Sequence, residues 1–105
     1  MTEPIKLNIY DENYEIIKTA EILFIPFGRL EDIAQMAQEI GKMENIIDQV
    51  KAISGFMVKI FRGKLTSEEL KEGTEYDEVL NTFYEIVNYV ASQTQQLNFK
   101  PGKKA

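Results

Sequence analysis

Residues 5–20 read IKLNIYDENYEIIKTA, and this stretch decides the fold class. Ile5, Leu7 and Ile9 alternate with Lys6, Asn8 and Tyr10. That period of two puts one set of side chains on each face of a strand. Asp11, Glu12 and Asn13 form a turn cluster, since the short polar side chains of Asp and Asn hydrogen-bond nearby backbone. Tyr14 to Ala20, with Ile16, Ile17 and Thr19, reads as the returning strand. A β-hairpin over residues 5–20 is predicted, and the apolar run Ile22 to Ile25 either extends it or packs down into the core.

Downstream the period changes from two to that of a helix. Pro26 and Gly28 punctuate the chain, and proline suits a first helical turn. Phe27, Leu30, Ile33, Ala34, Ala37 and Ile40 then recur at helical spacing, with Glu31 and Asp32 at the positive end of the dipole. A helix is expected over about 28–40, with Gly41 as C-cap or hinge. A second runs over about 44–62 on a stripe of Ile46, Ile47, Val50, Ile53, Met57, Ile60 and Phe61. Gly55 sits inside it at a cost of about 1 kcal/mol against alanine. It reads as a close helix crossing or, functionally, as a hinge.

Gly63 ends that helix, and Thr66-Ser67-Glu68-Glu69 fits a capping box that starts a short helix over 67–71. Gly73 breaks it. Thr74 is the expected cap of a last helix over 75–92, with Tyr76, Val79, Leu80, Phe83, Ile86, Val87 and Val90 on one face. Beyond Ala91 the pattern dissolves into a polar segment, and 94–105 is expected to be a flexible tail. Within it Leu97 and Phe99 either pack back on the core or act as a docking tag. The predicted class is α+β: a hairpin or small sheet followed by a bundle of three main helices and one short one, in a single domain over 1–93.

Composition narrows the functions. A chain of 105 residues suits one domain, and its apolar content of 44% suits a globular one. There is no cysteine and no histidine. Disulfides, thiolate chemistry, the usual zinc and haem ligands and the ordinary neutral-pH proton shuttle are therefore missing. No calcium-loop pattern appears, so neither cofactor nor metal is expected. The net charge of −5 argues against a nucleic-acid partner, because phosphate binding needs a basic face. Thr2, Glu3 and Pro4 follow Met1 without the basic and apolar runs of a secretory leader. No apolar stretch approaches the ~20 residues of a membrane span, so no membrane is expected and cytosol is the expected compartment.

Catalytic constellations are equally scarce. Ser54 and Lys59 are five residues apart on one helix and diverge. The carboxylates Glu68, Glu69, Glu75, Asp77 and Glu78 stand at predicted helix starts, where capping and the dipole account for them. Lys59, Arg62 and Lys64 read as positive charge at a helix C-terminus. No phosphate-binding glycine loop occurs, and an enzyme is not expected.

The apolar stripes say more. Phe56, Met57, Ile60 and Phe61 spread around much of the second helix, and an arc that wide must be buried on more than one side. Either the helix is central in the fold or another chain covers part of it. Met36, Met43 and Met57 suit an adaptable binding surface or gap-filling core. Phe56, Met57, Ile60 and Phe61 are the expected partner-binding residues.

Three stretches taken together resemble the tail assembly chaperones of long-tailed bacteriophages. They are the hairpin strands Ile5–Ile9 and Tyr14–Thr19, the helix Ala52–Phe61, and Leu65–Leu70 followed by Val79–Asn88. In that family a hairpin leads into helices, a helix ending near F-V-K-x-I-F is followed by an L-T-x-E-E-L turn, and a V-x-N-T-F-x-x-I-V-N helix comes after. Gly63-Lys64 departs from the pattern, and residues 28–49 do not match it closely. The resemblance implies a chaperone of the bacterial host cytoplasm that coats the long, helix-rich tape measure protein. It also implies help in recruiting tail tube protein subunits, with a homo-oligomer open. The competing expectation is a small acidic regulator, antitoxin-like or a nucleic-acid mimic. The interleaving of acids with lysines, as at Lys42-Met43-Glu44 and Lys71-Glu72, weakens it.

Overall fold

The computed structural model describes residues 3–98, with two strands followed by four helices: the α+β fold expected. β1 (Ile5–Tyr10) and β2 (Ile16–Ile22) pair antiparallel, with Leu7 opposite Ala20 and Ile5 opposite Ile22. The register slips at Ile9/Tyr10, where Ile9 faces Lys18 but Tyr10 faces Ile16. Ile17 is the extra residue of a β-bulge. The turn is built by Asp11, whose carboxylate accepts from the backbone N–H of Asn13 (2.8 Å) and Glu15 (3.1 Å). Tyr14 sits there at a φ of 63°, so β2 starts two residues later than Tyr14.

Ile22 belongs to β2 and is buried, whereas Leu23 and Phe24 beyond it are exposed. A 3-10 turn over Phe27–Arg29 leads into α1 (Leu30–Ile40), capped by Gly41. α2 (Ile46–Ile60) starts later than expected because Asn45 is its cap, accepting from the Ile47 N–H at 2.7 Å. Arg62 and Gly63, at φ of 57° and 82°, turn the chain out of α2. α3 (Ser67–Gly73) opens on the expected capping box. The Glu69 N–H donates to the Thr66 hydroxyl (3.0 Å), and the Thr66 N–H to the Glu69 carboxylate (2.9 Å).

Two local expectations are corrected. Thr74 does not cap the last helix: its hydroxyl donates to the Leu70 carbonyl and closes α3. Gly55 is not a helix crossing: it is exposed, and nothing lies within 4 Å of where its Cβ would be. The close approach is instead at Gly73. A Cβ there would meet Ile9 Cγ2 at 2.6 Å and the Tyr10 carbonyl oxygen at 3.1 Å.

α4 (Tyr76–Asn98) runs past the expected end at Ser92, since Gln93 to Asn98 contain no breaker. The Leu97 side chain and Phe99 lie outside the described residues. One core joins the inner hairpin face (Ile5, Leu7, Ala20, Ile22) to Ile33 of α1, Ile53, Met57 and Ile60 of α2, Leu70 of α3, and Phe83, Ile86 and Val90 of α4. Thr82 of α4 donates to the Lys6 carbonyl at 3.4 Å, tying α4 to β1.

Candidate partner-binding surface

The four residues expected to meet a partner are covered by the chain itself. Met57 is wholly buried, and Phe56, Ile60 and Phe61 are nearly so. Phe56 packs edge-on against Phe83, with ring centroids 5.5 Å apart and planes at 79°. The wide apolar arc on α2 is thus explained by its central position, and these side chains are almost wholly covered by the chain itself. Met57 is core filling, and Met36 is packed, partly buried, against the core.

The same stripe continues beyond the core. Ile46, Ile47 and Val50 occupy its first two turns, yet Ile46 and Ile47 are 54% and 59% exposed. The stripe of α4 is likewise uncovered at its start, where Tyr76 is about half exposed. Between them lies a groove of about 220 Å³. Val50, Ile53 and Ser54 form one wall, Tyr76, Val79 and Leu80 the other, and Leu70, Lys71 and Thr74 of α3 and its end close the side. Ile46 and Ile47 stand one helical turn before Val50, so they extend the α2 wall beyond the groove. The volume is below that of ordinary small-molecule pockets, roughly 300–1,000 Å³, and suits side chains presented by another element. Sequence periodicity pointed to these residues as stripe. What it could not give was where the covering elements stop.

Among the described residues, several of the polar groups singled out in the sequence are engaged with other side chains or with backbone. Lys59, the formal partner of Ser54, is turned to Asp32 at 3.1 Å, and Ser54 is buried. Arg62 stands 5.3 Å over the Phe24 ring, and Lys64 donates to the Glu21 carbonyl at 3.3 Å. Glu78 accepts from the Tyr10 hydroxyl at 3.1 Å. Lys18, from the inner side of β2, reaches Glu69 at 2.9 Å. This contact and the Thr66 backbone N–H hold the Glu69 carboxyl below the usual carboxylate range, against the opposing effect of its burial. Among the described residues no cluster of acidic side chains could hold a metal ion, and no helix is long and apolar enough to cross a membrane.

Residues 1–104 match a family described as phage tail chaperone protein. The chain belongs to this family. The match spans nearly the whole sequence, including residues 28–49, where the motif resemblance was weakest. No curated protein and no solved structure matches the chain. Membership makes the protein a phage tail chaperone, a role in tail assembly that implies interaction with other tail proteins.

Proposed function

We propose that this tail chaperone binds the tape measure protein in the host cytoplasm, keeps it soluble until the tube forms, and helps bring tube subunits to it. The contact is the groove between the first turns of α2 and α4, with Ile46, Ile47, Val50 and Tyr76 as its exposed apolar rim. The observation that carries the reading is the overrun of the α2 stripe. Three apolar residues at helical spacing stand in solvent at the edge of an apolar groove, the arrangement by which an amphipathic helix is received. A helix-rich tape measure chain presents such faces repeatedly, so one chaperone fold can serve many positions along it. The net charge of −5 supports keeping such an assembly soluble.

The test is co-expression with the tape measure gene of the same phage. The proposal expects the tape measure protein in the soluble fraction and co-purifying with the tagged chaperone. If it precipitates equally with and without the chaperone, and none is retained on the tag, the proposal fails.

A further inference from the structure

A second group of exposed apolar side chains has no part in the groove. Tyr14, Ile16 and Ile17 lie at one end of β2, and Leu23 and Phe24 at the other; Ile17 is 63% exposed and Phe24 58%. They flank a strand of seven residues without proline, in a sheet of two strands among the described residues. The β1 side of the sheet is met by α4, through Thr82 and the Lys6 carbonyl. The carbonyls of a directly opposed antiparallel pair point both inward or both away. Lys6 faces Glu21, so the Glu21 carbonyl points to the open edge of β2, where Lys64 meets it. By alternation the N–H and C=O of Thr19 point the same way. An edge strand with unpaired backbone groups and exposed apolar side chains at both ends can pair with another strand.

We propose that β2 pairs antiparallel with β2 of a second copy of this chain, about a two-fold axis through Ala20, making one four-stranded sheet. Three observations select a second copy. Centred on Ala20, the register brings the exposed Ile17 of the bulge towards Leu23 of the second copy, an apolar contact that the two-fold repeats at the other end of the pair. It sets Thr19 opposite Glu21, the residues whose backbone groups face outward, and places no two like charges face to face. The charges at the two ends of β2 are also opposite. The turn end carries Asp11, Glu12 and Glu15, and the other end has Arg62 and Lys64 beside Leu23 and Phe24. The antiparallel arrangement lays each acidic end along the basic end of the second copy. Lys64 then gives up the Glu21 carbonyl to the incoming strand and turns to that acidic end. A contact of this kind is isologous and closes as a dimer.

Because the chain has no cysteine, introduced thiols report the contact cleanly. Directly opposed residues in an antiparallel pair have Cα atoms about 5.5 Å apart, within disulfide reach, while residues two positions removed are too far apart. Full-length Thr19→Cys and Glu21→Cys proteins are mixed and oxidised, and each is also oxidised alone. The mass of the unmodified protein is measured by light scattering over a concentration series. The expected results are a dimer mass and a covalent dimer in the mixture, with none from either variant alone. Ile17→Lys, on an exposed side chain, should keep the helical circular dichroism and raise the dimer dissociation constant at least tenfold. A monomer mass at every concentration would overturn the proposal. So would a dimer that neither cross-links in the mixture nor responds to Ile17→Lys, and self-cross-linking of Thr19→Cys would overturn the register.

Discussion

Gly73 is buried where the end of α3 passes beneath the hairpin, and any β-carbon there meets Ile9 and the Tyr10 backbone. Backbone cannot yield as a flexible side chain can, so Gly73→Ala should destabilise by about 1–3 kcal/mol. A lower urea midpoint with an unchanged slope would register it. Gly55 is the contrast: exposed, mid-helix and unopposed. Gly55→Ala should stabilise by about 1 kcal/mol, read as a higher melting temperature. Glu69 carries a pH dependence. Its carboxyl pKa is lowered by the hydrogen bond from Lys18 first and by the Thr66 N–H second. Stability lent by the ionised form is complete above the ordinary value of 4.5 and is lost as pH falls through the lowered value. Glu69→Gln can still accept from Thr66 but loses the charge. Its urea midpoint should therefore drop less than that of the natural protein when pH is taken below about 4.5, and a parallel drop would contradict this assignment.

At the scale of elements, much was written locally. The alternation in residues 5–9, the turn at Asp11–Asn13 and the box Thr66–Glu69 are interactions between near neighbours, and each appears where the sequence placed it. The departures come from choices settled at a distance. Thr74 has two helices to serve, and its hydroxyl serves the one behind it. The extra residue at Ile17 is invisible to periodicity, because a bulge is a property of the pair of strands. Gly55 and Gly73 look alike in sequence, and only packing shows which one is pressed against a neighbour. The stripe of α2 was legible from Ile46 to Phe61, but the point at which cover ends was not. Hence Phe56, Met57, Ile60 and Phe61 proved to be core while the uncovered residues are Ile46, Ile47 and Val50. The two halves should therefore respond differently. Phe56→Asp should abolish the cooperative melt, because it places a charge in the core against Phe83. Val50→Asp should leave the melt within about 1 kcal/mol of the natural protein.

For the whole molecule, the account is one of surplus surface on a small acidic α+β domain. The core is sufficient to organise hairpin and helices, and most of the apolar residues left over gather in two places with different chemistry, Phe27 and Tyr84 standing apart from both. One is a groove between helices, shaped for a helix. The other is the open edge of a sheet, shaped for a strand. A tail chaperone with both could hold a helical client on one surface while joining a second copy on the other. The two proposals stand independently, since Ile17→Lys leaves the groove intact and groove variants leave β2 intact.

The central claim, that the uncovered start of α2 is the client surface, is tested most directly by co-expressing the tape measure protein with Ile47→Asp chaperone and measuring how much is retained on the tag. Ile47 is exposed, so the variant should keep the natural helical signal and melt. The account predicts loss of most of the retained tape measure protein from a folded chaperone. Retention at the natural level by folded Ile47→Asp would contradict it and place the client elsewhere on the molecule.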